Sequence, residues 1–113
     1  MENRRETKRY NAAVAAEIEI DGEAHEGETH DISSGGVSAV FSHVFTDGEV
    51  VDLTLILTQD GIEDPNEDPF ETPAKVMWSA STDGGETMVG LRFTALEGEQ
   101  DAHLKRFLLA LED

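Results

Sequence analysis

Apolar and polar residues alternate with a period of two along most of the chain, and a helical period appears once, at the C-terminal end. Val14, Ala16, Ile18 and Ile20 line one face of a first strand whose other face carries Glu17 and Glu19, and Asp21-Gly22 offers the hairpin turn after it. A second strand is expected from about Glu26 to Ile32. Ser33-Ser34-Gly35-Gly36 then turns the chain, and Val37, Ala39 and Phe41 alternate again as a third strand. After Asp47-Gly48, the residues Val51, Leu53, Leu55 and Leu57 mark a fourth strand, with Asp52, Thr54 and Thr58 on its opposite face.

The stretch from Gln59 to Pro73 holds all three prolines and is rich in acids, so it reads as a solvated loop. Strands resume near Thr72. Ala74, Val76 and Trp78 alternate, Asp83-Gly84-Gly85 turns the chain, and Val89, Leu91 and Phe93 form a last strand paired back as a hairpin. From about Glu99 the period changes: Leu104, Phe107, Leu108 and Leu111 fall on one stripe of an amphipathic helix running to about residue 111. Acids lead this helix, and Lys105 and Arg106 lie further along, as the helix dipole prefers. The predicted fold class is all-β: a small six-stranded antiparallel, split β-barrel, with the C-terminal α-helix packed across one mouth or side.

Length and composition narrow the picture. A chain of 113 residues is expected to form one domain, and 38% hydrophobic content suffices for a core without staples. With no cysteine, thiol catalysis, Cys-ligated zinc and iron–sulfur chemistry are excluded, and a reducing compartment is consistent. No apolar run is long enough for a membrane span, so the expectation is a cytoplasmic protein without membrane insertion.

The net charge of −17 argues against a surface that grips DNA or RNA. Its placement is uneven. Arg4, Arg5, Lys8 and Arg9, half of the eight basic residues, fall in the first ten positions, which leaves the remainder still more acidic. The organisation read from this is a flexible basic arm over residues 1–10 followed by a single barrel-and-helix domain over 11–113.

Two clusters carry candidate chemistry. One is Arg5-x-x-x-Arg9, preceded by Arg4; the other is Asp31-x-Ser33-x-x-Gly36, at the turn between the second and third strands. Guanidinium forks can bond guanine through O6 and N7 and can pair with phosphate, while a carboxylate accepts from guanine's N1 and N2 donors. Ser33 adds a hydroxyl for a phosphate or sugar oxygen, and Gly36 lets backbone approach a ligand closely. Alone, the arginines read as a basic tail, and Asp31 and Ser33 as a turn bonded to its own backbone.

Read in order, and embedded in this run of strands, the two motifs resemble the PilZ domain, a bacterial receptor family for the second messenger cyclic di-GMP, whose signature is RxxxR followed by [D/N]xSxxG. The Val-Met-Trp78 strand, the Gly90-Leu-Arg-Phe93 strand and the closing helix extend the resemblance over nearly the whole chain. The resemblance implies that Arg5 and Arg9 clamp guanine faces and phosphates from the arm, and that Asp31, Ser33 and Gly36 meet them from the barrel. Arg4 stands where, in similar domains, an arginine accompanies a stacked, intercalated pair of cyclic di-GMP molecules. Trp78 resembles a tryptophan that lies beside the nucleotide in some relatives; a half-buried strand tryptophan is as often core. The implied function is a non-catalytic receptor that orders its arm on binding and so changes a surface read by an unidentified protein effector, in motility, pili, exopolysaccharide or biofilm control.

Other chemistries fit poorly. Asp64-x-Asn66-x-Asp68 begins like a calcium loop, but Pro69 replaces the turning glycine and Lys75 the bidentate glutamate. His25, His30, His43 and His103 form no compact ligand spacing, and surface or capping roles are expected of them. No catalytic nucleophile motif or phosphate-binding loop occurs, so neither an enzyme nor a bound cofactor is expected. The alternative is an adaptor of the same family that binds no nucleotide and docks a partner through its acidic face or helix. A single-strand nucleic-acid binder needs a basic groove and exposed aromatics, which this charge and seven aromatic residues do not supply.

Overall fold

A computed structural model describes residues 9–57 and 69–111. Six strands form, at Ala15–Ile20 (β1), Glu23–Ile32 (β2), Gly36–Phe41 (β3), Val50–Leu55 (β4), Phe70–Ser81 (β5) and Thr87–Phe93 (β6), followed by a helix at Gly98–Leu111 (α1). They close into a barrel in the order β1-β2-β3-β6-β5-β4, every pairing antiparallel. Closure leaves no sheet edge unpaired, which suits a small all-β domain.

The β1–β2 hairpin forms on Asp21 and Gly22, whose φ angles of 53° and 83° are the positive values a tight two-residue turn requires. Inward residues make one core: Ile18, Ile32, Phe41, Leu53, Leu55, Phe70, Val76 and Val89 are almost wholly excluded from solvent. Burying each large side chain contributes about 1.5–3 kcal/mol, enough in sum to oppose the chain entropy of ordering the strands. The Phe70 ring meets Phe93 edge-on at 5.5 Å.

Helix α1 seats Leu104, Phe107 and Leu108 on the core beside the start of β5. There the Gln100 side chain accepts from the Glu71 amide at 3.1 Å and His103 packs edge-on against Phe70. Acids do lead the helix, but its last turn holds no base. Lys105 lies in the middle and pairs with Asp101 one turn back at 3.0 Å. No helix among the described residues is long and apolar enough to cross a membrane.

Strand β2 begins at Glu23, three residues before the expected start, and the structure departs from the sequence pattern at three further places along β4 and β5. Strand β4 ends at Leu55, and Leu57 packs against the core from outside it. Strand β5 begins at Phe70, so the loop expected over 59–73 gives way to strand four residues early; residues 59–68 lie outside the described residues. Pro73 is tolerated within β5 because β6 ends at Phe93, opposite Ala74, so that no ladder bond awaits the missing N–H. Its carbonyl still accepts from the Thr94 amide at 3.2 Å.

Third, Trp78 does not share a face with Ala74 and Val76. Val76 pairs with Leu91 but Trp78 pairs with Gly90, so Met77 is an extra residue, a β-bulge. The bulge reverses the alternation. Val76 points into the core and Trp78 points out, about half exposed.

Candidate functional site

A second bulge lies on β2, where Thr29 pairs with Ala39 and Asp31 with Ser38, leaving His30 extra. Thr29 faces the core and, without the bulge, Asp31 would follow it inward. Instead Asp31 faces out, as Trp78 does. The two bulges flank the β3–β6 pair, and the result is one transverse row on the barrel's outer face: Asp31 on β2, Ser38 on β3, Gly90 on β6 and Trp78 on β5.

Each member of the row has a local reason for its place. Trp78 lies against Gly90, where a Cβ would collide with the indole, so the glycine is the seat of the ring. At the end of β2 the chain turns back through Ser33 to Gly36. The Ser33 amide donates to the Gly36 carbonyl at 2.8 Å, and the Ser33 hydroxyl accepts from the Gly35 and Gly36 amides, each at 3.2 Å. That buried hydroxyl is also within 3.2 Å of the Gly36 carbonyl, to which it can donate. Ser33 therefore builds the turn. Gly36 is required for close approach, since a Cβ there would strike the Leu91 carbonyl on β6. The amide of Phe93 bonds the Gly35 carbonyl at 3.0 Å and ties the turn to the barrel.

The N-terminal segment meets this surface directly. Tyr10 and Ile32 exchange two backbone hydrogen bonds of 2.9 Å, and Arg9 Nη1 donates to Asp31 Oδ1 at 3.2 Å. The last two residues of the expected arm are thus held against β2. Arg4 and Arg5, with the rest of 1–8, lie outside the described residues.

Between these groups lies a cleft of about 340 Å³, to which Arg9, Ser33, Gly36 and Trp78 all contribute. Asp31 stands at its edge, against Arg9. Of the seven candidate residues, five are described, and the fold brings all five together. The lining also includes residues that the sequence motifs did not single out, among them Ser38, Met77 and Arg92. The Ser38 hydroxyl is buried without a hydrogen-bond partner among the described residues. Met77 reaches the cleft because the bulge turns it and Trp78 outward together, and no period-two reading of the sequence reveals that. Arg92 carried a readable signal: between Tyr10 and Leu104 the chain has two basic residues, Lys75 and Arg92.

The arrangement offers guanidinium and carboxylate groups for polar recognition, an exposed indole face for stacking, and a glycine-rich floor. No group of three or more metal-ligating side chains occurs among the described residues. Three histidines have packing roles: the His25 and His43 rings meet at a tilt of 43° with centres 4.3 Å apart, His43 meets Phe45, and His103 meets Phe70. His30 is the exposed bulge residue.

A family model of the PilZ domain matches residues 3–110. No curated protein matches the sequence. Among solved structures, the inhibitor of motility MotI/DgrA of Bacillus subtilis superposes with a TM-score of 0.79 at 18% identity, covering 97% of this chain and 51% of that one. The PilZ domain of Escherichia coli YcgR, solved with c-di-GMP, gives 0.76 at 18% identity, covering 97% and 92%. The PilZ domain of CeSA from a cellulose-synthesizing bacterium gives 0.64 at 20%, covering 94% and 99%. The chain thus spans about half the length of MotI/DgrA and nearly all of the YcgR domain, and these likenesses establish the fold.

Proposed function

The chain belongs to the PilZ family, and from that premise we propose that it is a non-catalytic receptor for cyclic di-GMP, binding in the cleft between the N-terminal segment and the Ser33–Gly36 turn. The observation that carries this reading is the Arg9–Asp31 contact at 3.2 Å, which joins the two sequence motifs at the rim of one cleft. A guanine base stacks on Trp78, Asp31 accepts from its N1 and N2 donors, and arginines take its Hoogsteen edge and the phosphates. Arg4 and Arg5 join from the N-terminal side, Arg4 favouring an intercalated pair of ligands. The structure of the YcgR domain with this ligand supports the choice of messenger.

Because Asp31 is already engaged by Arg9, a ligand must share or replace that bond, and doing so repositions the N-terminal segment. A protein effector that recognises one arrangement would then respond to messenger concentration, as a population shift requires. Motility is the process favoured by the likeness to MotI/DgrA, with pili, exopolysaccharide and biofilm control the other family roles. Calorimetric titration with cyclic di-GMP, with GTP and cyclic GMP as controls, tests the proposal. Selective binding supports it, two molecules per protomer support the intercalated pair, and no heat in any titration rejects it.

The reading as a nucleotide-free adaptor has one observation on its side. Glu26, Glu17, Thr54 and Glu71 form one outward row across β2, β1, β4 and β5, and Glu19 and Asp52 are paired in the next. Such an acidic wall suits a basic protein partner. The same titration separates the two readings.

A further inference from the structure

Lys75 on β5 and Arg92 on β6 are direct cross-strand partners on the outer face of the barrel. Side chains in such a pair stand about 5 Å apart at Cβ, and like charges there repel. The arrangement is unexpected in a chain of net charge −17 whose barrel segment, from Tyr10 to Leu104, contains no other lysine or arginine. Carboxylates are abundant elsewhere on the surface, yet none stands in this row. It reads Gly36, Arg92, Lys75, Val50 across β3, β6, β5 and β4. Asp52, one step along β4, is diagonal to Lys75, and neither the Lys75 nor the Arg92 side chain has an ion pair or hydrogen bond with any described residue.

The pair also has a defined position. Its row is next to the one holding Asp31, Ser38, Gly90 and Trp78, and Arg92 itself lines the cleft. Gly36, directly opposite Arg92, has no side chain to pair with it, and its backbone lies close against β6. Ser38 supplies an independent sign that the cleft is incomplete, because its buried hydroxyl has no partner among the described residues. Arg9 stands on the β2 side of the cleft and Arg92 on the β6 side, with the Ser33–Gly36 turn between them.

We infer that Arg92 and Lys75 form a second anion-binding point of this cleft, which takes a phosphodiester of the bound cyclic dinucleotide opposite the one held by the N-terminal arginines. The inference rests on the receptor reading above and adds to it two residues outside both sequence motifs. Arg92 offers a bidentate fork and Lys75 a point charge, and a phosphate between them relieves their mutual repulsion.

The test is calorimetry with cyclic di-GMP at several salt concentrations on the wild-type chain, Arg92→Gln, Lys75→Gln, Arg92→Lys and Arg9→Ala, with thermal unfolding of each variant without ligand. Loss of one exposed charge–phosphate contact is expected to weaken binding by about fivefold or more for R92Q, and less for K75Q. The salt dependence should fall in both glutamine variants, Arg92→Lys, which keeps the charge but not the fork, should bind between R92Q and the wild type, and unfolding temperatures of the glutamine variants should not drop, since a repulsive pair has been removed. Wild-type affinity and salt dependence in both glutamine variants would overturn the inference while leaving the receptor intact. Failure of Arg92→Lys to recover any binding would overturn it as well, because the charge is retained. No binding by the wild-type chain would instead reject the receptor reading itself, and the second anion point with it.

Discussion

Arg9 and Asp31 are 22 residues apart in sequence and 3.2 Å apart in space, and their contact joins the N-terminal segment to the end of β2. The Arg9 side chain is half exposed, so the pair adds little to stability, about 1 kcal/mol or less. On the proposed reading its weight falls on binding. Arg9→Ala and Asp31→Ala are each expected to lower cyclic di-GMP affinity by roughly ten- to a hundredfold, the range for charge-assisted bonds, with only a small change in melting temperature. Calorimetry and thermal denaturation on the same samples check this, and full affinity in both variants would remove the pair from the site.

Gly35 and Gly36 are neighbours with opposite sensitivities. A Cβ at Gly35 meets nothing within 4 Å, whereas one at Gly36 meets the Leu91 carbonyl and forces β3 from β6. Gly36→Ala should destabilise by about 1–3 kcal/mol, as overpacking does. Gly35→Ala, at an open surface position, should stay within roughly 0.5 kcal/mol. Urea denaturation of the two variants distinguishes them, and equal effects would contradict the close β3–β6 approach.

What the sequence conveyed and what it withheld follow from the same geometry. Alternation made β1 and β4 readable, because each has one face in the core and a period of two leaves little choice, while β3 and β6 were legible from Val37, Ala39 and Phe41 and from Val89, Leu91 and Phe93 although both of their faces are largely covered. The helix was readable from the spacing of Leu104, Phe107 and Leu108. The bulges were not, since an inserted residue such as Met77 or His30 has no side-chain signature, and the alternation of Ala74, Val76 and Trp78 pointed to the wrong face. The two motifs named Arg9, Asp31, Ser33 and Gly36, and the expected turn bonded to its own backbone is found at Ser33, but the close approach of Gly36 to β6 was not legible. Ser38 joins the cleft through strand register, which is long-range information absent from any local window, and Arg92, although conspicuous as one of two basic residues between Tyr10 and Leu104, is placed there by the same register.

Trp78 lies on Gly90 and is the only tryptophan in the chain, so its fluorescence reports on the cleft. Cyclic di-GMP should change the emission of the wild-type protein as a guanine stacks on the indole. Gly90→Ala places a methyl group where the ring now rests, and should displace the indole into water, shift its emission to longer wavelength and weaken binding. An unshifted spectrum in the alanine variant would show that the ring does not depend on this seat.

Thr29 is the buried anchor of the segment that delivers Arg9. Its hydroxyl donates to the Ala12 carbonyl at 2.6 Å and accepts from the Val14 amide at 2.9 Å, while its own amide bonds the Val14 carbonyl at 3.0 Å. Thr29→Val keeps the shape but strips both hydroxyl bonds, leaving a donor and an acceptor unsatisfied at a cost of about 2–4 kcal/mol. Thr29→Ser keeps the hydroxyl and loses only a methyl group, so it should be milder. Because the chain from Ala12 to Val14 leads away from Tyr10 and Arg9, loosening it should also weaken cyclic di-GMP binding, by less than Arg9→Ala does. Denaturant unfolding and hydrogen exchange at the Val14 amide measure the two effects. If Thr29→Val unfolds as easily as predicted yet binds as tightly as Thr29→Ser, then the Tyr10–Ile32 bridge alone positions Arg9.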